Sequence, residues 1–313
     1  MSRHREKRKT LVDQVKQVLD SKLAIGQSKK ADKVIYQRDD DGKILCDELG
    51  EKMVLQPDLT KEKIYSWSTY KAYLKHDCYF VKWCKDEHRC RKLSDCRQYV
   101  DEYLKKLIDD GKSSYTIKLT AQALAKLYNC SVKDFIETPA RKRKDIVRSR
   151  DVVKYDKHFS EKNNAELINF CKCTGVRRAE LKALRGTDLL EKDSKFYLHV
   201  HSATKGGRER ISLIIGSDEE IKSVVDRMKE VGSGKVFSKI HKAADIHSYR
   251  SDYCTRVYKL YAHDLNSLSY KEKYYCKKDL AGTCYDREAM KKASEALGHP
   301  RVSVIAGHYL RNL

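Results

Sequence analysis

Four short segments in the second half of the chain carry side chains that could act together on a phosphate ester. TGVRRAEL, residues 174–181, offers Arg177 and, three residues on, Glu180. TKGGRER, residues 204–210, offers Lys205 on a glycine-containing turn, with Arg208 and Arg210 as rivals in the same segment. HSYR places His247 and Arg250 three apart, which puts both on one face of a helix. LGHPRVSVIAGHYL brings His299 and, ten residues later, Tyr309. Breaking a phosphodiester without water or metal needs an attacking oxygen, cations around the non-bridging oxygens and an acid for the leaving 5′-oxygen. A tyrosine hydroxyl suits the first task. Arginine suits the second, since its planar fork meets two phosphate oxygens at once. Lysine or histidine suits the third, because each can carry and give up a proton.

Each piece has a plainer reading. A His-x-x-Arg pair is usually a solvated helix face, Thr-Gly before a helix is commonly a cap, and a TKGG turn can be a mere hairpin. Most of the 20 tyrosines must serve core or surface. What singles out the set is its fixed order in a strongly basic chain. Of the 313 residues, 66 are Lys or Arg against 45 Asp or Glu, a formal charge of +21. Such a surplus repels itself in the compact state and implies a polyanionic partner, nucleic acid first. An anionic membrane is the competing partner, but no apolar run approaches the roughly 20 residues a bilayer span needs. The basic start, MSRHREKRKT, lacks the apolar stretch of a secretory signal. A cytoplasmic, nucleoid-associated protein without membrane partners is expected.

The eleven cysteines are then expected to be reduced. Cys78, Cys84, Cys90 and Cys96 recur every six residues with His88 among them, yet lack the short ligand pairs of zinc sites. Six residues is about 600° of helix, so successive members would fall on different faces. They are read as small buried hydrophobes, and no metal is expected. VGSGK at 231–235 lacks the spacing of a phosphate loop.

The elements that must position these groups follow from periodicity. Apolar residues from Leu11 to Leu23 recur at helical spacing. Residues 26–60 are polar and read as an irregular connector. Ser66 can cap a helix with Tyr70, Tyr73, Leu74 and Phe80 on one side. A second helix runs through Tyr99, Tyr103, Leu104 and Leu107 to Gly111, and Ser113 or Ser114 opens a third that ends near Asn129. This half reads as all-α. PARKRKDIVRSR, residues 139–150, is a basic linker. Beyond it the pattern turns mixed: helix over 160–185, strands over Lys195–Ser202 and Glu209–Ile215, then mostly helix apart from a hairpin across Lys273–Asp286.

Taken together, the four motifs resemble those of the phage-integrase family of tyrosine recombinases. The resemblance covers roughly residues 65–310, with its sharp motifs in 174–309. It implies an α-helical N-terminal core-binding domain plus a mixed α/β, mostly helical, catalytic domain. The boundaries are 1–60 for a basic N-terminal helix and connector, 61–138 for the helical DNA-binding domain, 139–155 for the linker and 156–313 for the catalytic domain. Residues 1–60 are either an arm-type DNA-binding module or a helix packed on the next domain. Carried over, the resemblance assigns Arg177 and Arg250 to the scissile phosphate and Lys205 to general acid. His247 would assist proton transfer, His299 would hydrogen-bond the phosphate, and Glu180 would orient the network. Tyr309 would be the nucleophile, forming a 3′-phosphotyrosyl link. Arg141, Lys142, Arg143, Lys144, Arg148 and Arg150 would lie along DNA backbone.

The activity implied is site-specific recombination, integration or excision, through a Holliday junction, without a cofactor. The partners implied are duplex DNA with inverted core half-sites and a homotetramer on the synapse, with room for an accessory excision factor. A type IB topoisomerase shares the chemistry, and a non-catalytic DNA-binding regulator would share the charge. Three departures stand out. The interval from Arg250 to His299 is 49 residues, lengthened by 273–290, whose lysines and tyrosines suggest contact with DNA or a neighbouring protomer. Cys276 and Cys284 would pack across that hairpin without a disulfide. The spacing from His299 to Tyr309 is ten, where nine would fall on His308, and only four residues follow Tyr309. A tail that reaches into the neighbouring subunit is therefore in doubt.

Overall fold

The computed structural model describes residues 9–142, 159–204, 207–277 and 280–310. They divide between Arg141 and Lys142 into two compact units. Among the described residues no helix is long and apolar enough to cross a membrane.

In the first unit, α1 (Leu11–Asp20) starts at Thr10, whose side chain and that of Asp13 cap each other's backbone N–H groups. Its buried residues Leu11, Val15 and Leu19 recur every four positions and pack into one core with Phe80, Val81, Leu104 and Leu124. The helix thus shares its apolar face with the bundle. The connector is not wholly irregular. It holds the antiparallel pair β1 (Ile35–Tyr36) and β2 (Val54–Gln56), extended by single bridges from Arg38 to Ile44 and from Cys46 to Lys52. The expectation of an all-α half fails there. These strands are two or three residues long and leave Ile35, Val54 and Leu55 exposed, so they carry no alternating apolar signal.

The remaining helices are α2 (Trp67–His88), α3 (Leu93–Cys96), α4 (Val100–Asp109) and α5 (Ser114–Leu127). Ser66 and Ser113 cap α2 and α5 through their hydroxyls, as their positions suggested. The six-residue cysteine series does not behave as a helical phase. The helix ends at His88, with Arg89 in the left-handed region at φ 53°, and the chain turns back. Cys84, Cys90 and Cys96 are all buried in one core, and the Cys96 thiol donates to the Lys92 carbonyl at 3.5 Å. Among the described residues no set of three His, Cys, Asp or Glu is grouped as a metal site.

The second unit opens with α6 (Ala165–Thr174) and α7 (Arg178–Ala183). A three-stranded antiparallel sheet follows, β3 (Leu189–Lys192), β4 (Lys195–Val200) and β5 (Arg210–Leu213), with β4 central. The sequence missed β3, which is short and mostly exposed, and which turns into β4 through Asp193 and Ser194, both at positive φ. In β5 burial alternates, so Arg210 and Ser212 face inward while Ile211 is exposed. Then come α8 (Asp218–Val231), α9 (Ile246–Tyr261), the hairpin β6 (Lys273–Tyr275) with β7 (Cys284–Asp286), α10 (Arg287–Ala296) and α11 (Ser303–His308). Helix α9 packs between α6 and α10 and joins the two apolar clusters, presenting Tyr249 to one and Tyr253, Cys254 and Val257 to the other.

Candidate active site

The site begins where α6 stops. Gly175 takes the left-handed conformation at φ 61°, and a Cβ there would overlap the ring of Tyr253. The turn leaves Arg177 as N-cap of α7. Glu180, three residues on, accepts from the Arg177 backbone N–H at 2.7 Å and from its Nη1 at 2.6 Å. The spacing read from the sequence therefore has a local mechanical cause, a helix cap in which the carboxylate reaches back to the arginine.

Glu180 is 1% exposed, and its carboxylate also accepts from Arg210, Nη1 to Oε1 at 3.0 Å and Nη2 to Oε2 at 2.8 Å. Burial alone would raise its pKa. The hydrogen bond and charge of Arg210, then the N–H and guanidinium of Arg177, outweigh burial and hold the carboxyl down at about 2.

Arg250, on α9, is 1% exposed. Its Nη1 donates to the Gly175 carbonyl and its Nη2 to the Leu297 carbonyl, while Nε donates to the Tyr309 hydroxyl at 3.3 Å. The Leu297 carbonyl also accepts from Arg177 Nη2 at 3.2 Å, so one backbone oxygen brings two guanidinium groups together. Burial pulls Arg250 down to about 10, with Tyr309 opposing and the charges of Arg177 and Arg210 adding to the fall. The group still carries its charge at neutral pH.

His299 sits on the turn after α10, its backbone N–H bonded to the Ser294 carbonyl at 2.8 Å. Its Nε2 lies 3.5 Å from Arg250 Nη2 and 3.3 Å from the Tyr309 hydroxyl. A guanidinium can only donate, so the nitrogen facing it is an acceptor. Tyr309 itself is 6% exposed. Its carbonyl accepts from Ser251 Oγ at 2.8 Å, and Tyr285 holds the next carbonyl, that of Leu310, at 2.7 Å. His247 lies with its ring centre 5.4 Å from that of Tyr309. It also lines a cavity of about 270 Å³ with Arg177, Arg178, Ala244, Asp245, Ile246 and Arg250. Arg178 spends its donors on the carbonyls of His241 and Ala244 and stands apart from the Glu180 network. A larger groove of about 540 Å³, lined by Phe196, Ile215, Ile221 and Val225 among others, contains none of the candidate residues.

Arg177, Glu180, His247, Arg250, His299 and Tyr309 therefore meet in one place. Lys205 lies outside the described residues, as do Arg143, Lys144, Arg148 and Arg150. Of the linker candidates, Arg141 stacks its guanidinium over Tyr115 at 5.5 Å, and Lys142 is exposed. Sequence reasoning gave Arg210 no role beyond that of a rival to Lys205. The available signal was an arginine at an inward-facing position of a strand in a chain with a buried glutamate to neutralise. The anchors Ser251 and Tyr285 had no signal at all.

No family model matches the sequence, and no curated protein matches it. Among solved structures the chain is similar to the Tn1549 transposon integrase in complex with circular intermediate DNA. That match has 12% identity and a TM-score of 0.41, and covers 78% of this chain and 95% of that one. It is also similar to the XerH site-specific recombinase bound to its difH substrate, at 15% identity and TM-score 0.45 over 76% of each chain. The XerA recombinase matches at 16% identity and TM-score 0.29, over 79% of this chain and 89% of that one. At such identities and scores, what this chain does has to be read from its own side chains.

Proposed function

We propose that the chain is a tyrosine recombinase of the phage-integrase family, a DNA-strand transesterase with Tyr309 as nucleophile. The observation that carries the reading is the meeting of Arg250 Nε and His299 Nε2 on the Tyr309 hydroxyl, each at 3.3 Å, beside a cavity lined by arginines. A phenol of ordinary structural role has no need of a buried guanidinium and an imidazole acceptor together.

In the proposed step the scissile phosphate occupies that cavity, with Arg177, Arg250 and His247 on its non-bridging oxygens. Tyr309 Oη attacks phosphorus and its proton passes to His299 Nε2. The bond from phosphorus to the 5′-oxygen breaks, and that oxygen takes a proton from the general acid, for which Lys205 is the proposed donor. The ester energy is kept in the 3′-phosphotyrosyl link, so a 5′-hydroxyl from a partner duplex can reverse the step and exchange strands. The N-terminal bundle and the basic linker would hold the duplex, and inverted half-sites and a tetrameric synapse belong to the same proposal. His299 is here the proton acceptor, a role the resemblance gave to His247. Because Tyr309 lies among its own chain's cations, cleavage would be in cis.

The test is a nicked duplex labelled at the strand that keeps the 3′-phosphate, incubated with the full chain and run under denaturing conditions. A labelled protein adduct in the wild type, lost in Tyr309→Phe while DNA binding is retained, is the expected result. Binding without an adduct would leave a DNA-binding regulator. Rejoining confined to the same strand would indicate a topoisomerase.

A further inference from the structure

In the reaction just proposed, Arg210 touches no reacting atom. It is nonetheless bonded through all three of its nitrogens. Nη1 and Nη2 are both on the Glu180 carboxylate, and Nε donates to the Ala296 carbonyl at 3.0 Å and to Ser212 Oγ at 3.2 Å. It is 7% exposed and, unlike Arg177, His247 and Arg250, does not line the cavity in which the phosphate is placed. Resting on the proposed function, we infer that Arg210 is a positioning residue that sets Arg177 through the Glu180 carboxylate and His299 through the end of α10.

Both linkages can be followed atom by atom. Glu180 has two oxygens, and each accepts one bond from Arg210 and one from Arg177. With Arg210 holding the far side of the carboxylate, its near side is fixed, and Arg177 Nη1 has one place to go. The second Arg177 nitrogen is fixed by the Leu297 carbonyl. That carbonyl follows directly on Ala296, which accepts from Arg210 Nε and from Ser212 Oγ at 2.7 Å. Arg210 therefore grips both supports of Arg177. The same turn continues through Gly298 to His299. A Cβ at Gly298 would come to 3.0 Å from Arg210 Cδ, so the methylene stem lies flat against the residue that precedes the imidazole.

The energetic argument points the same way. Burying an ion pair is weak evidence for stability, since desolvation consumes most of what attraction returns, and an apolar pair of equal volume often serves the fold as well. What the pair does provide is a fixed geometry for a third group, here the guanidinium of Arg177, which must meet a phosphate in one orientation. Strand β5 carries this arginine at its first residue, pairing with Val200 of β4, so the sheet is the rigid frame from which the correction is applied.

A structural role and a positioning role separate in a variant series on the full chain. The readouts are single-turnover adduct formation on the nicked duplex, DNA affinity and thermal unfolding. Arg210→Met is expected to lower the adduct rate about a hundredfold with DNA affinity within about twofold of wild type. Its midpoint of unfolding falls too, because Glu180 is left buried and charged. The double variant Glu180→Gln with Arg210→Met removes that stranded charge and should recover most of the stability while the rate stays low, since Arg177 still lacks its guide. Arg210→Lys, which keeps the charge but not the fork, should fold and lose about tenfold in rate. Recovery of cleavage in step with stability in the double variant would overturn the inference, as would an Arg210→Met rate within about threefold of wild type. A wild-type chain that forms no Tyr309-dependent adduct would sink the proposed function first, and this inference with it.

Discussion

The Tyr309 hydroxyl accepts a hydrogen bond from Arg250 Nε at 3.3 Å, although 59 positions separate the two residues in sequence. The guanidinium that donates to the phenol is also a structural tie, since its other nitrogens hold the Gly175 and Leu297 carbonyls. Arg177 differs in being partly exposed, with 22% of its side chain open. Replacing either arginine by Ala is expected to lower adduct formation by about a hundredfold or more. Only Arg250→Ala should also destabilise the fold strongly, by about 2–4 kcal/mol, because the Gly175 carbonyl loses its donor, the Leu297 carbonyl loses one of two, and a fully buried side chain is truncated. Parallel rate and thermal-unfolding measurements check this. Equal stability losses in the two variants would contradict the assigned difference.

Gly175 allows the chain to turn from α6 into the cap that presents Arg177. It holds φ at 61°, and the ring of Tyr253 occupies the space where a Cβ would go. Tyr253 has little freedom to retreat, being fully buried with its hydroxyl on the Leu213 carbonyl at 2.8 Å. Gly175→Ala is expected to cost about 2–4 kcal/mol, combining left-handed strain with overpacking. Gly207→Ala makes a control: φ is also positive at 69°, but no atom of the described residues beyond its chain neighbours lies within 4 Å of its Cβ position. Its cost should stay near 1 kcal/mol. Denaturant unfolding of both variants gives the comparison.

The parts of this site that were legible in sequence were those whose geometry is local. The Arg177–Glu180 spacing is a helix cap, His247 and Arg250 share one turn of α9, and Ser66 and Ser113 announce their helices by type. Arg210 was not legible because its role is set by a partner thirty positions away and by the carbonyl of Ala296, on another element. β1 and β2 escaped because two or three exposed residues carry no period. The burial of Cys84, Cys90 and Cys96 in one core escaped for a third reason, a helix that ends at His88 and resets the phase.

Glu180 gives the second unit a defined acid sensitivity. Its folded-state pKa is depressed from 4.5 to about 2, so the folded chain binds fewer protons there than the unfolded one. The resulting stabilisation is fully present above about pH 4.5 and is lost as pH falls toward 2. The variant Glu180→Gln with Arg210→Met lacks the titrating group. Its stability should be flatter than that of the wild type over this interval, measured by denaturant unfolding at fixed ionic strength. Identical acid slopes would remove Glu180 as a source of the pH dependence.

Asp77 poses the opposite case in the N-terminal bundle. It is 0% exposed on α2, and neither carboxylate oxygen has a hydrogen-bond partner among the described residues. Burial pushes its pKa well above 3.8, so the folded state retains a proton that the unfolded state has released. Stability contributed by this site therefore falls as pH rises from about the unfolded value of 3.8 up to the raised folded one. Asp77→Asn keeps the shape and removes the titration. It should match the wild type near pH 4 and exceed it near pH 7.5 by about 1 kcal/mol or more, a rise of a few degrees in Tm. Thermal unfolding at the two pH values decides the matter. A variant that is less stable than wild type at pH 7.5 would mean that the carboxylate has a partner in solution that outweighs its burial.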